Sequence, residues 1–179
     1  TYQAVPAGHA NAQNDIYKSC SKPNIQSGTP TYWLRASEVY FLRAEAALVW
    51  EGFGSADSWY KQGIDMSFQE NGVTDPVDDY MNSNLSPRAY VLSHYQYGQT
   101  LSAPCETTVK FEGTTEQKLE KIMIQKWIAL FPNGQEAWTE WRRTGYPKLN
   151  VIKTLKGAVQ GATLEGGIRR MIYPTSFSQ

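Results

Sequence analysis

The feature that most constrains the fold is a stretch of nineteen residues without glycine or proline, Tyr32 to Trp50 (YWLRASEVYFLRAEAALVW). Its content of Ala and Leu predicts a helix of about five turns. Gly52 and Gly54 follow the stretch and predict the end of the helix. A second helical pattern begins directly after this turn, so the two patterns have to be considered together.

The second pattern, SADSWYKQGIDMSFQEN, begins at Ser55, which is a good helix N-cap, and ends at an Asn-Gly pair. Two helices joined by a short Gly-containing turn predict an antiparallel hairpin over about residues 32–71. Gly63 costs about 1 kcal/mol relative to Ala in a helix interior. We therefore expect Gly63 to allow a close approach of the partner helix.

A second hairpin is predicted over about residues 114–144. Thr114 followed by Gln117 forms a capping box ahead of EQKLEKIMIQKWIALF. Asn133 followed by Glu136 is a second capping signal, which opens the short helix GQEAWTEWRRT. The two hairpins are too irregular to form a tandem array of identical repeats.

The remaining segments show little helical periodicity. Residues 1–31 predict an irregular lead-in, and residues 73–113 combine turn clusters with an aromatic loop, SHYQYGQT. After residue 147, NVIKTLKGAV is weakly amphipathic and GGIRRMIYP is expected to be extended. The sequence thus predicts a mainly α fold in which helical hairpins are joined by long irregular loops.

The charge balance and the absence of known motifs exclude several function classes. Seventeen basic residues balance seventeen acidic ones, without a run of like charge, which argues against nucleic acid as a partner. The sequence has no metal-binding or cofactor-binding motif. It also contains neither a basic-then-apolar leader nor an apolar stretch of about 20 residues. Cys20 and Cys105 fit either free thiols or one disulfide.

Charged residues lie within the apolar stripes of two predicted helices. Leu34, Glu38, Phe41, Glu45 and Leu48 share one face of the first helix. In the third predicted helix Lys126 falls in a stripe of apolar residues, namely Leu119, Ile122, Met123, Trp127 and Leu130. Charged side chains are rarely buried unless they are paired with an opposite charge.

Two interpretations of Glu38 and Glu45 remain open. They could form the acid–base pair of a glycoside hydrolase, which requires carboxyl groups about 5–9.5 Å apart, although their Cα atoms are separated by roughly 10.5 Å of helix. Alternatively they are structural charges neutralised by cations, and we favour this interpretation. It predicts that at least one of the two pairs with a Lys or Arg of the second hairpin. The candidate cations are Arg35, Lys126, Arg142 and Arg143.

Arg142 and Arg143 also have two interpretations. Their guanidinium groups match the geometry of an anionic ligand. They lie in the last turn of a predicted helix, where cations are stabilised by the helix dipole without any ligand. We favour the structural role.

Three tyrosines are candidates for ligand binding. Tyr95 and Tyr97 would lie on the same side of an extended segment, and sugars stack on such rings. Tyr17 lies in the Asn- and Gln-rich lead-in. The alternative is that these rings cover the helices and that their hydroxyl groups are hydrogen bonded.

Three blocks of the sequence resemble segments of SusD/RagB proteins. YWLRASEVYFLRAEAAL resembles the family's helix LRYAEVYLLRAEA, and IMIQKWIALFPNGQEAWTEWRRTGYPKL resembles KWIALFGNGxEAWxDWRRTGYP. GGIRRMIYPTSFSQ is similar to IPRRLxYPxxE near the family's carboxy-terminal end. The blocks occur in the family's order and span most of residues 32–179.

The resemblance implies tetratricopeptide-like hairpins within a larger SusD-like fold. It also implies a surface-exposed protein of the outer membrane that is not an enzyme. Such a protein binds an oligosaccharide or another nutrient and works with a TonB-dependent, SusC-like transporter. The alternative is a helical-repeat scaffold that binds proteins and has no affinity for carbohydrate.

The chain is much shorter than the family's members, with 179 residues. We therefore expect residues 1–179 to form a single carboxy-terminal region, a fragment of a longer chain. The family's lipid anchor is absent from this sequence, and Cys20 lacks the preceding apolar leader of a lipidation site. Membrane association is expected only through that missing anchor.

Overall fold

The computed structural model describes residues 4–5, 17–18, 20–93 and 98–151. The chain divides into two compact units. The first, called here the helical unit, comprises Pro30–Arg88 and Ala103–Leu149. The second comprises Thr1–Thr29, Ala89–Ser102 and Asn150–Gln179 and is described only in part. The predicted features of residues 152–179 lie outside the described residues.

The first hairpin consists of α1 (Ala36–Val49) and α2 (Ala56–Glu70), which pack against each other. Ser55 caps α2 as predicted, because its hydroxyl oxygen accepts a hydrogen bond from the Ser58 amide at 3.3 Å. The close approach at Gly63 is also confirmed. A Cβ atom there would lie 2.7–2.9 Å from the ring of Phe41 on α1.

The predicted start of α1 was wrong. The helix begins at Ala36, not at Tyr32, and Leu34 is exposed in the segment that precedes it. The reason is a cap from a distant residue. The carboxylate of Glu70 accepts hydrogen bonds from the Ser37 amide at 3.1 Å and from the Ser37 hydroxyl at 2.6 Å. Glu70 thus satisfies a free amide at the start of α1, which no local residue caps.

The second hairpin consists of α4 (Thr115–Ala129) and α5 (Gly134–Thr144). The capping box of Thr114 and Gln117 is present, and the Asn133 side chain accepts a hydrogen bond from the Glu136 amide at 3.2 Å. Gly145 ends α5 in the left-handed conformation, with φ of 76°. Helix α4 packs on both α1 and α2, so the two hairpins share one core.

The core of the helical unit is formed by residues from α1, α2, α4 and the segment before α4. Its buried members are Phe41, Ala44, Tyr60, Ile64, Val109, Ile122, Met123 and Ala129. Tyr60 attaches the segment before α4 to α2, because its hydroxyl donates to the Val109 carbonyl at 2.8 Å and its ring stacks on Phe111. This contact gives the irregular connection a fixed position in the core.

The region between the hairpins contains more regular structure than predicted. A one-turn helix, α3 (Val77–Met81), belongs to the helical unit. In the second unit, β1 (Tyr90–Leu92) pairs antiparallel with β2 (Gln99–Leu101). These strands have three residues each, which is too short for an alternating pattern to be recognised in sequence.

Candidate functional site

The charged residues of the apolar stripes come together between the two hairpins. Lys126 on α4 is 1% exposed, and its Nζ atom lies 3.3 Å from Glu140 Oε2 on α5 and 3.8 Å from Glu38 Oε1 on α1. No described residue gives this Nζ atom a hydrogen bond of ordinary geometry. The ammonium is therefore held by the charges of two carboxylates.

Arg143 extends the cluster toward solvent. Its guanidinium donates to both carboxylate oxygens of Glu45, at 2.6 and 2.7 Å, and also to Glu140 Oε2 at 2.7 Å. Glu140 thus bridges the two cations. The complete set, called here the charge cluster, is Glu38, Lys126, Glu140, Arg143 and Glu45.

The pKa values of Glu38 and Glu140 are shifted in opposite directions. Burial raises the pKa of Glu38 above its ordinary 4.5, and the charge of Lys126 offsets only part of this effect. Burial also acts to raise the pKa of Glu140, but hydrogen bonds from Arg143 and the charge of Lys126 outweigh it and lower the pKa below 4.5. The hydrogen bonds that Arg143 donates to Glu45 and Glu140 raise the pKa of its guanidinium group.

This arrangement uses both candidate catalytic carboxylates in contacts between helices. Glu38 is 5% exposed and faces Lys126, and Glu45 is held by two hydrogen bonds from Arg143. A general acid and base would have to reach a glycosidic bond from opposite sides. The contacts of Glu38 and Glu45 instead join α1 to α4 and α5.

Arg35 and Arg142 lie outside the charge cluster. Arg35 NH1 lies 3.9 Å from Glu70 Oε2, and the Arg35 guanidinium lies 4.6 Å from the centroid of the Tyr32 ring. Arg142 instead lies over the Trp138 ring, 4.5 Å from its centroid, and pairs with no carboxylate among the described residues. The two adjacent arginines of α5 therefore have different roles.

The sequence analysis did not identify Glu140, which belongs to the charge cluster, or Glu70, which caps α1. Glu140 lies three residues before Arg143, and this spacing on a helix is a signal for an ion pair. Glu70 caps α1 through Ser37, which lies 33 residues earlier in the chain. The sequence pattern around Glu70 contains no signal for that contact.

Of the three candidate ligand-binding tyrosines, the structure describes Tyr17, which belongs to the second unit. Tyr17 lies in a short turn and is half-buried, and burial raises the pKa of its hydroxyl. Tyr95 and Tyr97 lie outside the described residues. Their role in ligand binding stays a prediction from the sequence.

Exposed aromatic residues flank α1 in the helical unit. Trp33 is 92% exposed, and Tyr32 beside it packs against the guanidinium of Arg35. At the other end of the helix, the rings of Trp50 and Phe53 are both exposed, with centroids 6.1 Å apart. The sequence had predicted that Tyr32, Trp33 and Trp50 belong to the helix, which spans Ala36–Val49.

A polar depression of about 420 Å³ lies beside the start of α4. It is lined by Glu106, Thr107, Thr108, Glu112, Gly113, Gln117 and Lys121. Lys121 Nζ is already used there, because it donates to the Thr108 carbonyl at 2.8 Å. The depression lacks the apolar walls of a typical small-molecule site.

Three further features belong to the described part of the chain. None of its helices combines the length and the apolar character needed to cross a bilayer. No group of three or more His, Cys, Asp or Glu side chains is arranged there to hold a metal ion. Cys20 and Cys105 are free thiols.

Several solved structures with a similar fold are described as SusD homologues. A SusD homologue from Bacteroides thetaiotaomicron is 39% identical, with a TM-score of 0.87 over 99% of this chain and 38% of its own. One from Bacteroides ovatus is 45% identical, with a TM-score of 0.72 over 80% of this chain and 30% of its own. A chitin-binding SusD homologue from Flavobacterium johnsoniae is 41% identical, with a TM-score of 0.68 over 82% of this chain and 31% of its own.

The chain thus spans between 30% and 38% of the length of these three neighbours. No curated protein matches it. The family model described as SusD-like, for SusD and RagB outer membrane lipoproteins, matches residues 1–179. With its helical hairpins and its likeness to these solved structures, the chain belongs to the SusD-like family of SusD and RagB outer membrane lipoproteins.

Proposed function

We propose that the chain is part of a non-catalytic protein that binds a nutrient, and that the nutrient is a glycan. The observation that carries the proposal is the family match over the whole chain, together with the identity of 39–45% to SusD homologues. The ligand class is supported by a neighbour that is described as chitin-binding. A β-linked oligosaccharide of amino sugars is therefore the first ligand to test.

The charge cluster supports the non-catalytic part of this proposal. Glu38 and Glu45 on α1 each face a cation of the second hairpin, and Glu140 faces Lys126 within that hairpin. Carboxylates in such contacts stabilise helix packing, and moving them toward a sugar would leave Lys126 buried without a partner. A sugar that stacks on aromatic rings can be bound without these carboxylates.

We further propose the setting of this activity from the family. The longer protein is held at the cell surface on the outer membrane by a lipid anchor. It passes its ligand to a TonB-dependent, SusC-like transporter. A direct test is co-purification of the longer protein with its transporter, and loss of co-purification in stringent detergent washes would count against a stable pair.

Isothermal titration with soluble chito-oligosaccharides and malto-oligosaccharides tests the ligand class. Replacing Tyr95 and Tyr97 with Ala is expected to weaken binding by about tenfold, because a stacked ring contributes about 1 kcal/mol beyond its buried area. Trp33→Ala is the matched control, since Trp33 is a fully exposed ring outside the candidate site. Loss of binding in the Trp33→Ala control alone would indicate that the ligand binds at the segment before α1.

A second candidate function is a scaffold that binds proteins and has no affinity for carbohydrate. The observation that favours it is a row of exposed apolar residues on α1: Val39, Leu42 and Val49. This function predicts no heat with any oligosaccharide in the same titration. Binding of an oligosaccharide would exclude it in this form.

A further inference from the structure

Lys121 on α4 is a buried side chain at the polar depression. It lines the depression of about 420 Å³, although the residue is only 6% exposed. Among the described residues, no carboxylate forms an ion pair with its Nζ atom. Lys61, Lys110 and Lys126, in contrast, each lie next to a carboxylate. A lysine that is buried without an opposite charge beside it is rare in proteins.

The hydrogen bonds of Lys121 match those of an uncharged amine. Its Nζ atom donates to the Thr108 carbonyl at 2.8 Å and to the Thr108 hydroxyl oxygen at 3.2 Å. These two bonds satisfy both N–H groups of an uncharged amine. An ammonium has a further N–H group, for which the described residues provide no acceptor. The lone pair of the uncharged amine is then free to attack a molecule in the depression.

Burial and nearby charges act on Lys121 in opposite directions. Burial lowers the pKa of the Lys121 side chain below its ordinary 10.5, and the charges of Glu112 and Glu120 offset only part of this effect. Glu112 is itself paired with Lys110 at 2.9 Å, and Glu106 is an exposed residue of the same depression. A larger fraction of Lys121 is therefore uncharged at neutral pH than of a lysine in water.

We propose that Lys121 is a nucleophilic lysine and that a small aldehyde entering the depression modifies it as an imine. The Nζ lone pair attacks the carbonyl carbon, and a C=N bond replaces the C=O bond. Both hydrogens of the amine leave with the carbonyl oxygen as water, so no oxidant or reductant is consumed. The polar side chains of Glu106, Thr107 and Gln117 suit an aldehyde that also carries a hydroxyl group. The inference concerns one amine, and it does not rest on the proposed glycan ligand.

Reductive trapping in the longer SusD-like protein tests this proposal. Glycolaldehyde, a small hydroxyaldehyde, is added with cyanoborohydride, which converts each imine into a stable secondary amine. Peptide mass spectrometry measures the product at each lysine. Lys61 is the internal reference, because it is exposed and the hydrogen bond that it donates to Asp78 raises its pKa. The ratio of product at Lys121 to product at Lys61 is expected to fall at least about threefold from about pH 7 to about pH 10.5, because Lys61 loses its proton at the higher pH.

Lys121→Arg is the matched variant, because it keeps a cation at this position and removes the nucleophilic amine. It is expected to lose the product on this part of α4. Product that persists there would place the adduct on Lys118 or Lys126 and would overturn the proposal. The absence of product at Lys121, or a ratio that stays constant or rises with pH, would overturn it as well. The pH profile is measured with Lys121 in place, so it decides the question even where Lys121→Arg disturbs folding.

Discussion

Arg143 on α5 binds Glu45 on α1 through two parallel hydrogen bonds, although the two residues are 98 positions apart in the chain. The pair joins the first hairpin to the second. Glu140 brings the same arginine into contact with the buried Lys126. The charge cluster therefore sets how the two hairpins are oriented.

Arg143→Gln is expected to lower the free energy of unfolding by about 1–3 kcal/mol, because it removes charge-assisted hydrogen bonds to two carboxylates that are partly screened by solvent. Urea denaturation measures this change. Arg142→Gln is the matched control, since Arg142 contacts a Trp ring and no described carboxylate. Equal losses in the two variants would contradict the role of the Arg143 contacts.

Lys126→Met is expected to cost about 3–5 kcal/mol, because it leaves the buried Glu38 carboxylate without its cation and removes one of the two cations that face Glu140. Adding Glu38→Gln removes one of these carboxylates, so the double variant is expected to be more stable than Lys126→Met alone. A double-mutant cycle from urea denaturation gives the coupling between the two residues. Simple additivity would show that Glu38 and Lys126 do not interact.

Gly63→Ala is expected to destabilise the protein by about 1–3 kcal/mol, although Ala is the better helix former. The added Cβ atom would lie 2.7 Å from the ring of Phe41. Gly134→Ala on α5 is the control, because its Cβ atom meets nothing within 4 Å. Thermal unfolding checks both variants, and a stabilised Gly63→Ala would show that the two helices are less tightly packed than described.

The contributions of Glu38 and Glu140 to the stability of the fold are expected to depend on pH in opposite ways. Glu38 has a raised pKa, so the folded protein binds its proton more tightly than the unfolded chain does. Its contribution to stability is present at low pH and is lost as the pH rises from about 4.5 through the raised pKa. Glu38→Gln, which cannot ionise, is therefore expected to gain stability relative to the parent protein as the pH rises.

Glu140 has a lowered pKa, so its contribution is present above 4.5 and is lost as the pH falls through the lowered value. The cost of Glu140→Gln is expected to shrink in acid. Urea unfolding of both variants between about pH 3 and pH 7 measures these trends. Parallel pH profiles for the two variants would contradict the assigned shifts.

Local signals in the sequence predicted those parts of the fold that depend on neighbouring residues. Ser55, Thr114 and Asn133 cap their helices through amides three residues away. The start of α1 was not predicted, because its cap comes from Glu70 on another helix. Contacts between distant residues leave no local pattern.

The charge cluster was predicted in part for the same reason. Glu38 and Lys126 stood out because charges within apolar stripes need partners. The sequence could not choose among the available cations, and the structure pairs Arg35 with Glu70 and places Arg142 on Trp138. The choice depends on how the hairpins pack, which the helical periodicity of a single segment does not define.

The central claim is that the protein binds a glycan without changing it. Equilibrium dialysis of the longer protein against chito-oligosaccharides, followed by chromatography of the recovered ligand, tests both parts of this claim. We expect saturable binding, and we expect the ligand to be recovered at its original length. Shortened oligosaccharides would contradict it by showing catalysis, and the absence of binding to these and to malto-oligosaccharides would favour the scaffold function.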